Sequence, residues 1–189
     1  WRDILIAFPL NWREVDKVDE LAARINLAVL VDCEESARFL AAHVTHEIGV
    51  WIKIDTGLHR AGIWWQDMQT IAALASIISS LPHLNLKGIL THAGQTYLAD
   101  SKESVKAMAS ASKQAMLGIK EYLGKKGLKD ISVSIGDTPS CRTLTDFLGV
   151  DEIRPGNFVF YDLEQWQLGV CQPEEIAVAV ACPIVSWSE

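Results

Sequence analysis

The chain has 189 residues, 49% hydrophobic and 22% charged, which suits one sizeable core and not two. Its formal net charge of −7 at pH 7 argues against a protein that grips nucleic-acid phosphates. No apolar run approaches a membrane span, and the opening WRDILIAFPL reads as a strand rather than a signal peptide. Cys33, Cys141, Cys171 and Cys182 are far apart and form no Cys-x-x-Cys pair. They are expected to be buried free thiols in a cytoplasmic protein, not zinc ligands or a disulfide frame.

Asp3 to Phe8 is a short apolar run closed by Pro9 and predicts a strand. Asn11 with Glu14 makes a capping-box pattern before a helix whose inward positions are Val15, Val18, Leu21, Ala22 and Ile25. Leu27–Val31 predicts the second strand, and Asp32 is the expected cap of the helix that follows. The third strand carries WIKID, with Lys53 where a core residue is expected. A helix is predicted over 66–80, then a fourth strand over 86–90 that runs into THAGQTY. Asp100 or Ser101 opens a long helix stopped by Gly127. Ile131–Ile135 predicts the fifth strand, residues 142–148 a short helix, Asn157–Tyr161 a sixth strand, and Ile176–Ser186 a last strand-like run.

Near-continuous apolar strands alternating with helices mean a parallel sheet covered on both faces. Six such units with no dinucleotide fingerprint favour a (β/α)8 TIM-type barrel, although six is short of eight. The expectation is a barrel that lacks its first strands, over residues 1–173, followed at 174–189 by the start of a truncated C-terminal β-domain.

In a barrel, chemistry sits at the C-terminal strand ends. Lys53 and Arg60 flank the first such loop, DTGLHRAG, and read either as site cations or as solvated surface charges. His92 follows the fourth strand with Thr91, Gln95 and Tyr97. It is a site histidine or a hydrogen-bonded core residue, and Tyr97 a proton donor or a pocket wall. Gly136, Asp137, Thr138, Pro139 and Ser140 combine a small residue, two hydroxyls and free N–H groups. They form a phosphate cradle or simply a capped helix start. Arg154-Pro155-Gly156-Asn157 is a second glycine-bearing site or a tight turn. Barrel phosphate sites are commonly shared between late strands, which favours reading the last two together.

KIDTGLHRAGI, THAGQTY, SIGDTPS and EIRPGNFVFYD resemble, in order, four motifs of the fold-type III pyridoxal-phosphate (PLP) enzymes: alanine racemase, D-threonine aldolase and D-serine dehydratase. The resemblance spans essentially the whole chain. GDTPS and the PGNFVFYD ending look more like the aldolase and dehydratase branch. Lys53 with Arg60, and Arg154 before Pro155, look more like alanine racemase.

The resemblance implies roles. Arg60 would contact the cofactor phenolic oxygen and the substrate carboxylate, with Lys53 supporting it, carbamylated in some racemases. Gly136, Asp137, Thr138, Ser140, Gly156 and Asn157 would form the phosphate site. Arg154 would face the pyridine nitrogen and keep it unprotonated, which disfavours a long-lived carbanion. His92 and Tyr97 would line the substrate side.

The family's cofactor-linking lysine lies on the first barrel strand and has no match here, so this chain alone is expected to be inactive. A divalent metal, Zn or Mn, would be held by a C-terminal domain not in this chain; no metal ligand is assigned within it. The implied function is a PLP-dependent lyase on a β-hydroxy D-amino acid. The alternatives are an amino-acid racemase, a non-catalytic PLP-binding barrel, and an unrelated barrel that binds a sugar phosphate. Small-molecule substrates, no nucleic acid or membrane, and a homodimer complete the expectation.

Overall fold

All eight residues of the strand Ile48–Asp55 are buried, and the sheet is laid out around it. The computed structural model describes residues 1–186. In chain order it runs β1 (Asp3–Pro9), α1 (Val15–Ala22), β2 (Asn26–Val31), α2 (Glu34–His43), β3 (Ile48–Asp55), β4 (Ile63–Trp64), α3 (Met68–Ser80), β5 (Leu84–His92), α4 (Lys102–Lys125), β6 (Ser132–Gly136), α5 (Thr138–Thr143), β7 (Glu152–Ile153) and α6 (Leu163–Gln167). The strands pair in the order β1-β2-β3-β5-β6-β7, with β4 added to β3. Every pairing is parallel. The sheet curls into part of a barrel, as the sequence reading expects.

Strand periodicity divides the side chains between two faces. On the convex face Val29, Val50, Ile52, Ile54, Ile89 and Val133 pack under the helices, against Leu40, Ile71, Ile78, Met116 and Ile119. On the concave face Leu30, Trp51 and Leu90 form a smaller cluster, with Leu5 and Ala28 against it. Beyond that cluster, towards the N-terminal strand ends, lies a cavity of about 780 Å³ lined by Asn26, Gly49, Asn85 and Lys87 among others. The candidate site residues, Arg154 excepted, lie at the opposite end.

Several predicted boundaries shift for local reasons. Asn11 does not build a capping box: its side chain accepts from the Arg13 N–H and closes a short 3-10 turn before α1. The cap position of α2 is Cys33, not Asp32, and its side chain makes no capping bond. The helix expected over 142–148 starts earlier, at Thr138, because Asp137 accepts from the Ser140 N–H and caps it there.

The sixth strand is the two-residue β7, not Asn157–Tyr161, where residues 157–159 form a 3-10 turn. Residues 176–186 form no strand, since a strand needs a ladder partner and these residues have none among those described. Residues 187–189 of the expected β-domain segment lie outside the described residues. All four cysteines are free, but only Cys171 is buried; Cys182 is exposed and the other two are half-buried. Among the described residues no helix is long and apolar enough to cross a membrane.

Two pins hold the helical layer to the loops. Lys113 is buried in α4, and its ammonium donates to the Asp146 carboxylate and carbonyl at 2.8 and 2.9 Å. Asp151 accepts from the Val133 N–H at 2.8 Å and from Lys120 at 2.9 Å.

Gly88 is where the sheet is tightest. A Cβ there would sit 2.1 Å from the Ser132 carbonyl oxygen and 2.7 Å from the Trp51 ring. Both neighbours belong to the sheet and its concave cluster, so neither can yield cheaply. Gly88→Ala is expected to destabilise the protein by about 3 kcal/mol or more, read from the urea midpoint.

Candidate active site

Parallel pairing brings the C-terminal ends of β3, β5, β6 and β7 to one rim. The register places Ile54 beside Thr91, His92 beside Gly136, and Ile135 beside Ile153. Lys53, His92, Gly136 and Arg154 therefore come from neighbouring strand ends although they span 102 positions of the chain.

Lys53 is 5% exposed. Burial, and then the Arg60 guanidinium, push its pKa from 10.5 down to about 8, while Asp55 and Asp32 oppose the fall. Gly62 makes this packing possible: the chain returns as β4 at a positive φ of 109°, and a Cβ there would lie 2.9 Å from the Lys53 side chain. His92 is pushed below its ordinary 6.5 by burial and by the same two cations, Arg60 and Lys53. It is thus neutral at pH 7 and can accept a proton or a hydrogen bond.

The nearby carboxylate does not neutralise this cationic group. Asp55 Oδ1 accepts from the Gly57 and His59 N–H groups at 2.9 and 3.1 Å. Its Oδ2 meets the His59 ring at 3.1 Å. Asp55 therefore fixes the loop that carries Arg60. Thr91 ties the loop below, donating to the Ile54 carbonyl and pairing with the Thr56 hydroxyl.

Residues 137–140, directly after β6, are all buried. Asp137 Oδ1 accepts from the Ser140 N–H at 2.7 Å and from the Thr96 hydroxyl at 2.9 Å, so its carboxylate is the cap of α5. Burial holds its pKa above the ordinary carboxylate value. Thr138 Oγ1 accepts from the Asn157 N–H at 2.9 Å, joining this loop to the one after β7. The Ser140 hydroxyl is buried and has no partner among the described residues. A Cβ on Gly156 would meet nothing within 4 Å. An unpartnered hydroxyl beside an open backbone suits a bound oxyanion.

Arg154 reaches back along the concave face, donating to the Ser134 hydroxyl at 3.0 Å and pairing with Glu152. Tyr97 stands by His92, ring centroids 6.4 Å apart. Its phenol is held protonated by burial and by the Asp137 carboxylate.

The sequence reading thus finds two groups of residues that meet at one rim: the cations Lys53 and Arg60 with His92 and Tyr97, and the loop from Gly136 to Ser140 with Gly156 and Asn157. It overlooks Asp55, Thr96 and Asp162, which hold the loops in place. Asp162 lay within the quoted PGNFVFYD motif, and Asp55 within KIDTG. Among the described residues no three His, Cys, Asp or Glu side chains are grouped to hold a metal.

The family model of the alanine racemase N-terminal domain matches residues 4–164. The chain belongs to the alanine racemase N-terminal domain family. It is 32% identical over 187 residues to D-threo-3-hydroxyaspartate dehydratase of Delftia sp. (strain HT23), covering 97% of this chain and 49% of that protein. A solved structure of that dehydratase matches with a TM-score of 0.86 over 92% of this chain and 47% of the other. D-serine dehydratase of Dictyostelium discoideum is 32% identical over 200 residues, 98% of this chain and 51% of that protein. Alanine racemase of Corynebacterium glutamicum is 29% identical over 140 residues, 74% of this chain and 36% of that one. The chain spans about half the length of the two dehydratases it matches. One solved form of the Delftia dehydratase, a cysteine-to-alanine mutant, is described as metal-free.

The burial of Lys53 sets a pH dependence. Its pKa is lower in the folded state than unfolded, so the unfolded chain binds more protons between pH 8 and 10.5, and native stability rises with pH across that window. Below pH 8 the buried charge costs about 3 kcal/mol. Lys53→Met is expected to be more stable than the parent by about that amount at pH 7, the gain shrinking through that window, measured by urea unfolding at each pH.

Proposed function

We propose that this chain is the barrel part of a PLP-dependent lyase that acts on a β-hydroxy D-amino acid, by dehydration or aldol cleavage. The observation that carries the reading is the rim itself: a buried Lys53 with the exposed Arg60 near it and a neutral histidine, next to a hydroxyl-lined loop with an unpartnered Ser140. The dehydratase relatives, which match almost the whole chain, favour the lyase branch.

The residues present fit the cofactor. Ser140 and Thr138 offer hydroxyls to its phosphate, and Gly156 leaves the backbone open to it, while Gly136 lets the Arg154 backbone pack close against the loop. Asn157 and Asp137 shape that loop, since Asn157 commits its N–H to Thr138 and Asp137 caps α5. PLP, when bound, withdraws electrons from the substrate Cα and so labilises the bonds there.

Arg60, on a loop fixed by Asp55, binds the substrate carboxylate. Lys53 stands behind Arg60, and their mutual repulsion favours a bound anion over an empty site. Neutral His92 accepts a proton on the substrate side, and the protonated Tyr97 can give one at the β-hydroxyl. Arg154, held by Ser134 and Glu152, would be the residue at the ring nitrogen, and a cation there would weaken the ring as an electron sink.

The lysine that carries the cofactor, and any ligands of a divalent metal, belong on this reading to the rest of the whole protein. Residues 174–189 are its lead into a further β-domain, supported by the exposed course of residues 177–186 outside the sheet. A cytoplasmic homodimer completes the proposal, supported by free cysteines and by exposed Phe158, Phe160 and Trp166 near the site. Lys53 beside Arg60 and Arg154 before Pro155 favour the second reading, an amino-acid racemase.

The deciding test is on the whole protein as purified. A visible band abolished by borohydride is expected, with release of a keto acid or an aldehyde from a β-hydroxy D-amino acid, assayed with and without divalent metal. Conversion of D- to L-alanine with no carbon product points instead to the racemase. A band with no turnover of any substrate points to a PLP-binding barrel without catalysis. No band after PLP is added overturns the PLP reading. Arg60→Ala is expected to lower kcat/KM by about a hundredfold, the scale of one charge-assisted contact to a carboxylate.

A further inference from the structure

Among the described residues five buried side-chain atoms lack a hydrogen-bond partner: Gln95 Oε1, Asp137 Oδ2, Ser140 Oγ, and both Nε2 and Oε1 of Gln165. All lie on segments that follow β5, β6 and β7 at the rim. A buried polar atom left unpaired costs about 1–3 kcal/mol, so such a cluster needs a cause.

Gln165 is the most extreme of these. It is fully buried, and neither polar atom of its side chain is satisfied. Its backbone is nevertheless tightly placed. The Gln165 N–H donates to Asp162 Oδ1 at 2.9 Å, while Asp162 Oδ2 accepts from the Asn157 side chain at 2.6 Å. Asn157 in turn donates its N–H to Thr138. On the other side the Gln165 carbonyl accepts from the Val170 N–H at 2.9 Å, and the Val170 carbonyl accepts from Arg142 Nε at 3.2 Å. Thr138 and Arg142 both belong to α5. Gln165 therefore sits between two hydrogen-bonded links that join α6 to the cradle helix.

We propose that Gln165 is a binding residue of the anion cradle, its buried Nε2 donating to the anion that fills the site. This rests on the reading of that cradle as the cofactor's phosphate site. The side chain is then a polar group held unpaired in the empty protein, ready for the filled one. Such a role leaves a signature that a purely structural amide does not. Replacing an unpaired amide by an apolar chain of similar length leaves the empty protein as stable or more so, while anion binding weakens.

The test uses the whole protein stripped of PLP, titrated with inorganic phosphate by phosphorus NMR and with PLP by visible absorption. Gln165→Met is expected to bind both about tenfold more weakly than the parent, the scale of one lost net hydrogen bond. The urea midpoint of its stripped form is expected to be unchanged or higher. Equal affinities for parent and variant, with the parent binding both, overturn the inference and leave the cofactor reading intact. A lowered midpoint in the stripped variant also overturns it, since the amide is then paired within the empty protein. Failure of the parent to bind either phosphate or PLP overturns the cofactor reading and this inference together. If Gln165→Met does not fold, Gln165→Asn, which keeps the amide but shortens its reach, carries the same comparison.

Discussion

The burial of the Lys53 ammonium at the end of β3 is the constraint on which the rim depends. A buried ammonium near a guanidinium is costly, and although Asp55 and Asp32 offset part of that cost, Asp55 gives its hydrogen bonds to backbone N–H groups and His59. The fold tolerates this because β3 is wholly buried and tied to strands on both sides, so local repulsion cannot open the strand. Burial first, and then the same two cations, hold His92 below its ordinary value. Burial and like charge thus act together on Lys53 and His92.

The second group works by hydrogen-bond geometry rather than by charge. Asp137, Thr138, Asn157 and Asp162 bond one another's loops in sequence, across the ends of two strands. Each bond is ordinary in length. Together they hold the short helix α5 and the turn after β7 as one piece, with the buried Ser140 hydroxyl left without a partner among the described residues. The two groups differ in what disturbs them: salt and pH act on the cations, whereas changes of side-chain length act on the loop.

Much of this was legible in the sequence because it follows from periodicity and from residue chemistry out of place. A lysine in an aliphatic strand and a run of small hydroxyl residues after another strand are visible without coordinates. What stayed hidden depends on partners far away along the chain. Asp137 reads equally as a ligand and as a cap, and only its bond to Thr96, 41 positions away, shows that it ties two loops together. Gln165 carries no signal, since a glutamine in a short helix normally faces solvent. Asn157–Tyr161 looked like a strand by composition, yet Tyr161 takes a positive φ of 51° and the chain turns. The β propensity of valine and the aromatics yields to the missing ladder partner.

Leu90 pairs with Lys53 in the register, so the cluster of Leu30, Trp51 and Leu90 lies against the strand position of the buried ammonium. Arg154 spans floor and rim at the β7 edge of the sheet. It lines the wide lower cavity, yet a Cβ on Gly136 would sit 2.6 Å from its carbonyl oxygen. On the way its guanidinium is bonded to Ser134 and Glu152. Floor and rim are thus mechanically joined through one arginine, and whatever displaces its side chain in the lower cavity presses on the loop after β6.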